Sequence, residues 1–218
     1  MDQAIPFDRT RWQQVLSGVE PEVASLPDEL EGAQISRARL LELGAEAMKQ
    51  ANVVATRRAY FGMLMFGWGT QRDGGPRNAE RALAHPVALD VSLQTTIDHL
   101  SKGAVEAAYS AVRISGCGAS FVSKLVYTLG RWAMKNEEYP LILDSAVAAA
   151  LDRLMGTPVE QVHAFVPYQL RPWPAGYSAF VTDMHAWSRA LQVEPDQLEH
   201  FLWKPPTALA KAAIAYYD

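Results

Sequence analysis

Gly116 and Gly118 stand two residues apart between two stretches whose apolar residues recur at helical spacing. Upstream, Val105, Ala108 and Val112 fall about one helical turn apart within Gly103–Ile114; downstream, Ala119–Met134 has the pattern of a second helix. Glycines at such a junction predict a tight helical hairpin, because a backbone without Cβ can turn sharply and bring its N–H groups close to another molecule. The N–H groups that open the second helix are suited to holding a phosphate.

The rest of the chain repeats the helical theme. Leu40, Leu41, Leu43, Ala45, Ala47 and Met48 follow a capping residue at Ser36, and Tyr60, Met63, Leu64 and Phe66 belong to a further helix over Asn52–Gly67. Helices are also expected over Val87–Leu100, Ser145–Met155, Gly176–Leu191, Asp196–Trp203 and Thr207–Tyr217, with a short helix or turn at Phe7–Leu16. Pro21–Gly32 and Val159–Pro174 read as connections, because prolines punctuate both. No strand-rich region or internal repeat is visible, so the fold class is all-α. At 218 residues the chain is long enough for one sizeable domain, 1–218.

The second helix of the hairpin carries Lys124, and the run Pro140-Leu-Ile-Leu-Asp144 then leads into the helix Ser145–Met155. In this order of parts the chain resembles the helix-hairpin-helix DNA glycosylases, particularly bacterial proteins of the 8-oxoguanine DNA glycosylase type. The likeness is clearest over about residues 104–156 and weaker back to Trp68. It implies two helical lobes with the hairpin at their cleft, and both chain ends in one lobe. It also implies a lysine that attacks C1′ as the base leaves, and an aspartate that stabilises charge on the sugar or helps deprotonate the lysine.

By position those residues are Lys124 and Asp144. The family's lysine usually sits two residues past the second glycine, where this chain has Ser120. Lys124 lies one turn further on the same helix face, and its separation from Asp144, 144 − 124 = 20 residues, is close to the family's. The nucleophile is therefore assigned to Lys124. The competing reading makes Lys124 a solvated helix residue and Asp144 an N-cap alone.

Further site candidates come from Phe66-Gly-Trp-Gly-Thr-Gln-Arg-Asp-Gly-Gly-Pro-Arg77, read as a glycine-rich loop. Trp68 and Gln71 are expected at the base pocket, where the family has a Trp-Gly segment near the substrate. Tyr177, His185 and Trp187 are further candidates for its walls, or else an aromatic stripe of the core. Gly116, Gly118, Ser120, Arg72, Arg77 and Arg113 are the candidate DNA contacts.

The net charge of −4 does not favour binding along the whole surface, but the charge is unevenly spread. Residues 1–56 hold 5 basic and 9 acidic residues, 57–135 hold 10 and 5, and 136–218 hold 5 and 10. The segment containing the hairpin is thus net +5, as a local phosphate-binding surface would be. A single cysteine, Cys117, provides neither a disulfide nor the ligands of the iron–sulfur cluster found in some glycosylases of this superfamily. The five histidines form no close ligand pair, so neither a metal nor another cofactor is expected.

The N-terminus lacks a signal-peptide pattern and no apolar run approaches a membrane span, so a cytoplasmic, nucleoid-associated monomer is expected. The partner is duplex DNA with a damaged or modified base, best matched by 8-oxoguanine on the family likeness alone. The chemistry is excision with AP-lyase activity through a lysine Schiff base. Alternatives are a glycosylase for another damaged base or for modified bases of foreign DNA, a helix-hairpin-helix protein that only binds DNA, and an all-α interaction protein. A Ser–Lys hydrolase built on Ser120 and Lys124 is disfavoured, since it leaves Asp144 without a role.

Overall fold

The computed structural model describes residues 3–70, 73–134, 138–155 and 174–204. The fold is all-α: the described residues form twelve α-helices, one 3-10 turn and a single two-stranded ribbon. In the ribbon, β1 (Ala4–Pro6) pairs antiparallel with β2 (Gln34–Ser36), in the register Ala4↔Ser36, Ile5↔Ile35 and Pro6↔Gln34. The Arg37 N–H donates to the Gln3 carbonyl at 2.8 Å and so extends the ladder by one rung.

Between the strands run α1 (Arg9–Leu16), the one-turn helices α2 (Pro21–Ala24) and α3 (Leu26–Glu29), and the 3-10 turn Glu31–Ala33. The Pro21–Gly32 connection is therefore partly helical. Its prolines occupy first turns, where a missing N–H breaks no intrahelical bond, and Val23 and Leu26 pay in full burial for the order they impose.

Capping side chains start the two central helices of the N-terminal half. Ser36 Oγ accepts the Arg39 N–H at 3.0 Å to open α4 (Arg37–Gln50), and Asn52 Oδ1 accepts the Ala55 N–H at 2.8 Å to open α5 (Val53–Trp68). From Ala55 to Phe66 every residue of α5 except Arg58 is buried, which explains its nearly continuous apolar sequence.

The segment expected as a loop over Phe66–Arg77 is more ordered than that reading. α5 continues through Trp68, and α6 (Gly74–Leu83) begins within the supposed loop. Gly74 serves close packing rather than flexibility: a Cβ there would lie 2.4 Å from the Trp68 ring. Gln71 and Arg72 lie outside the described residues.

α7 (Pro86–Leu100) is followed by α8 (Val105–Ala111), which is shorter than the expected Gly103–Ile114. Ser92 of α7 draws the chain out of the helix: its hydroxyl donates to the Ala111 carbonyl and accepts the Arg113 N–H, both at 2.9 Å. The order then runs α9 (Ala119–Ala133), α10 (Ser145–Met155), α11 (Pro174–Leu191) and α12 (Pro195–Trp203). The Val159–Pro174 connection lies outside the described residues except for Pro174, which opens α11, and so does the helix expected over Thr207–Tyr217.

α4, α5 and α9 form the centre, each packed on the other two; α7 lies against α5, α8 and α9, while α12 joins α10 to α11. One continuous apolar core links these elements. It holds the first residues of α9 and the start of α10 on one side of the molecule, facing the β1–β2 ribbon and the C-terminal end of α5.

Candidate active site

Lys124 lies in the second turn of α9, and its residue is only 7% exposed. Its ammonium has two polar partners. Nζ donates to Ser120 Oγ at 3.0 Å, one turn earlier on the same helix, and to Asp144 Oδ2 at 3.1 Å. The helix spacing that places Ser120 and Lys124 on one face thus brings the hydroxyl to the amine.

Asp144 divides its two oxygens. Oδ2 faces Lys124, while Oδ1 accepts the backbone N–H groups of Ala146 and Val147 at 3.0 and 3.1 Å and caps α10. Burial by itself raises the Asp144 pKa, but the charge of Lys124 and the two backbone N–H groups outweigh it. The net result is a carboxyl held below its ordinary value, and therefore ionised at neutral pH.

The run that delivers Asp144 is extended rather than helical, and side chains pin it from several directions. Ser123 Oγ accepts the Leu143 N–H at 3.1 Å, Tyr177 donates its hydroxyl to the Leu141 carbonyl at 2.8 Å, and His185 Nε2 meets the Tyr139 carbonyl at 2.9 Å. Tyr177 also stacks on Tyr109, with ring centroids 4.3 Å apart. Tyr177 and His185 are therefore buried supports of the Asp144 run, and Trp187 packs half-buried against the core. The structure does not bring these three to the cleft that Lys124 faces.

That cleft has a volume of about 510 Å³, within the usual range for a small-molecule pocket. Trp68, Phe121 and Trp203 give it aromatic walls, and its polar lining includes Ser120, Lys124, Asp144, Arg37, Glu199 and Gln3. Trp68 and Phe121 stack nearly parallel, at 5.2 Å and 16°, and Lys124 Nζ lies 5.7 Å from the Phe121 ring centre. A cavity of about 560 Å³ beside α8 and α11 is slightly larger, but its polar lining is Glu106, Ser110, Glu138, Ser178 and Thr182, with no lysine.

Arg37 and Glu199 were not singled out in the sequence. Arg37 donates to Glu199 through both Nη atoms, at 2.8 and 3.2 Å, and Glu199 is 1% exposed. Burial raises the Glu199 pKa despite the opposing pull of Arg37, and the nearby negative charge of Asp144 adds to the rise. The two residues are separated by 162 positions, so only the tertiary fold reveals the pair.

The glycine junction forms a turn closed by the Cys117 N–H on the Ile114 carbonyl at 3.0 Å, with Gly116 at φ +82°. That conformation favours glycine, and a Cβ there would also lie 2.7 Å from Asn78 Oδ1. Gly118 begins α9 in an extended conformation with open space around its missing Cβ, and no side chain caps the helix. The Phe121 N–H donates to the Gly118 carbonyl at 2.8 Å, so the N–H groups of Ala119 and Ser120 are the ones left for an outside acceptor. The half-buried Cys117 thiol is pushed up to about 12 by burial, so it is not a thiolate nucleophile at neutral pH.

The positive charge of the middle segment is less available than its sequence suggests. Arg57 pairs with Glu20 and Asp90, Arg58 with Glu29, Arg131 with Asp196, and Arg77 with Asp73. Arg81 and Arg113 are exposed and have no carboxylate within 4.0 Å among the described residues. Arg81 approaches Asn78, the side chain packed on Gly116, and Arg113 leads directly into the turn. Among the described residues no group of three potential metal ligands occurs, and no helix is long and apolar enough to cross a membrane.

A family model described as "Putative 8-oxoguanine DNA glycosylase OGG-like protein" matches residues 1–203. Neither the curated proteins nor the solved structures yield a match.

Proposed function

We propose that this chain, which belongs to the OGG family of 8-oxoguanine DNA glycosylase-like proteins, excises a damaged base through a covalent bond to Lys124. The observation that carries this reading is the Lys124–Asp144 contact of 3.1 Å at the edge of a cleft with aromatic walls. Family membership makes DNA the substrate and glycosidic cleavage the reaction class. The lysine mechanism, the lyase step and the choice of 8-oxoguanine are our extensions.

The target nucleotide is flipped out of the duplex, at a cost of a few kcal/mol, and its base enters the cleft beside Trp68. The N–H groups of Ala119 and Ser120, at the start of α9, hold a backbone phosphate, with Arg113 and Arg81 alongside. Arg77 contributes less, because Asp73 already engages it. Ser120 faces Lys124 rather than open solvent, so its hydroxyl positions the amine instead of holding a phosphate.

Before attack, Lys124 passes a proton to Asp144 Oδ2. The neutral amine then forms a bond to C1′ as the N-glycosidic bond breaks, and the electron pair of that bond leaves with the base, which takes up the proton that Asp144 received. Asp144, ionised again, faces the positive charge that develops on the sugar. Opening of the sugar ring gives the Schiff base, and β-elimination of the 3′ phosphate followed by hydrolysis releases the enzyme.

The test is borohydride trapping on a duplex with 8-oxoguanine opposite cytosine, with an undamaged duplex and Lys124→Gln as comparisons. A damage-dependent covalent band that disappears in the variant is expected. Trapping by Lys124→Gln at the wild-type level would overturn the nucleophile assignment. DNA binding with neither trapping nor excision on any damaged duplex would leave a non-catalytic binder.

A further inference from the structure

Gln3 and Arg37 occupy the rung next to Ala4↔Ser36, because the Arg37 N–H donates to the Gln3 carbonyl at 2.8 Å. Residues opposite one another in an antiparallel pair place their Cβ atoms about 5 Å apart on the same face. Alternate rungs share a face, so Gln3 and Arg37 lie on the side of Ile5, and all three line the cleft that holds Lys124 and Asp144.

Each of the two side chains keeps one polar group in reserve. Arg37 uses both Nη atoms on Glu199, which fixes its guanidinium plane, yet its buried Nε has no hydrogen-bond partner among the described residues. Gln3 Oε1 is likewise buried without a partner. Leaving such a group unpaired costs about 1–3 kcal/mol, a cost recovered when a complementary group enters the cleft. Gln3 can turn toward such a group through its rotatable side chain, while Glu199 holds Arg37 still.

An acceptor beside a donor complements a base edge that presents an N–H next to a carbonyl. The geometry points to Gln3 and Arg37 as the specificity-determining pair of this cleft: Gln3 Oε1 accepts from the base N–H, and Arg37 Nε donates to the adjacent base carbonyl. The substrate class is therefore a base with a lactam-type edge, which products of oxidation or deamination share with guanine and thymine, and not adenine, cytosine or a purine alkylated to lack one. This rests on the glycosylase reading above and narrows its substrate.

The test separates reading the base from the chemistry on the sugar. Single-turnover excision is measured on a duplex containing 8-oxoguanine, and borohydride trapping on a duplex with an abasic site, which needs Lys124 but has no base to read. Gln3→Met removes the acceptor at similar volume. Its excision is expected to fall about ten- to a hundredfold while abasic trapping stays within about twofold of wild type. Gln3→Glu, which keeps an oxygen acceptor, is expected to excise more than ten times faster than Gln3→Met.

Undiminished excision by Gln3→Met would overturn the proposal, and so would a parallel loss of both reactions, which would make Gln3 a structural part of the site. If the wild-type protein traps the abasic duplex but ignores 8-oxoguanine, duplexes with hypoxanthine and uracil are the next probes, since both bases carry the lactam edge. Excision of 3-methyladenine alone would overturn the lactam assignment. A wild-type protein that neither excises nor traps would instead refute the glycosylase mechanism itself.

Discussion

Ser120 Oγ accepts a hydrogen bond from Lys124 Nζ at 3.0 Å, one turn apart on α9. The hydroxyl thus limits the conformations of a flexible side chain before Asp144 engages it. Ser120→Ala is expected to slow borohydride trapping by up to about tenfold, the scale of one hydrogen bond, while leaving the amount finally trapped unchanged. Time courses at saturating protein would check this, and an unaltered rate would remove Ser120 from the positioning of the amine.

Asp144 offers a way to separate the helix cap from the charge. Asp144→Asn retains an oxygen for the Ala146 and Val147 N–H groups but loses the counter-charge, so trapping should fall by more than about a hundredfold with the fold retained. Asp144→Ala loses the cap as well and should cost roughly a further 1 kcal/mol of stability. Trapping rates and denaturant titrations of the two variants distinguish these effects.

The depressed pKa of Asp144 has a definite sign for stability. A carboxyl whose folded pKa lies below its unfolded value contributes stability that is present above the unfolded pKa and is lost as pH falls through the folded one. The stability gap between wild type and Asp144→Asn should therefore be full near neutral pH and narrow below the ordinary carboxylate range. Denaturation at a series of pH values would show it; a gap that widens toward acid would contradict the assigned shift.

Arg113 is exposed, precedes the turn and has no carboxylate within 4.0 Å among the described residues. Arg113→Gln should reduce the slope of log binding constant against log salt by about 1, with no change in which base is excised. Affinity for an abasic duplex over a range of salt concentrations provides the measurement. Arg57→Gln serves as a comparison, because its partners are Glu20 and Asp90 and its removal should leave the slope unchanged.

The helical fold was legible because its signals are local: apolar spacing over Val87–Leu100, the cap at Ser36, and the turn demanded by Gly116. The approach of Lys124 to Asp144 followed from a family likeness, since a separation of 20 residues carries no geometric information of its own. Gly74 misled the reading because glycine looks the same whether it frees the backbone or makes room for a tryptophan. Tyr177 and His185 were ambiguous for a similar reason, because an aromatic face does not announce whether it meets a ligand or the core. Arg37, Glu199 and Gln3 were silent in the sequence, since their meaning comes from a strand pairing three residues long and from contacts across the whole chain.

The divided carboxylate of Asp144 has a bearing on how the site survives its own reaction. In the proposed reaction the positive charge beside Asp144 passes from the Lys124 ammonium to the iminium formed with the sugar, and a carboxylate held only by that charge would be free to follow it. Here the oxygen bound to the start of α10 keeps its grip whatever happens to the other. The anchor is mechanical and outlasts the ion pair, so in the proposed reaction Oδ2 stays beside each later intermediate without being repositioned between steps.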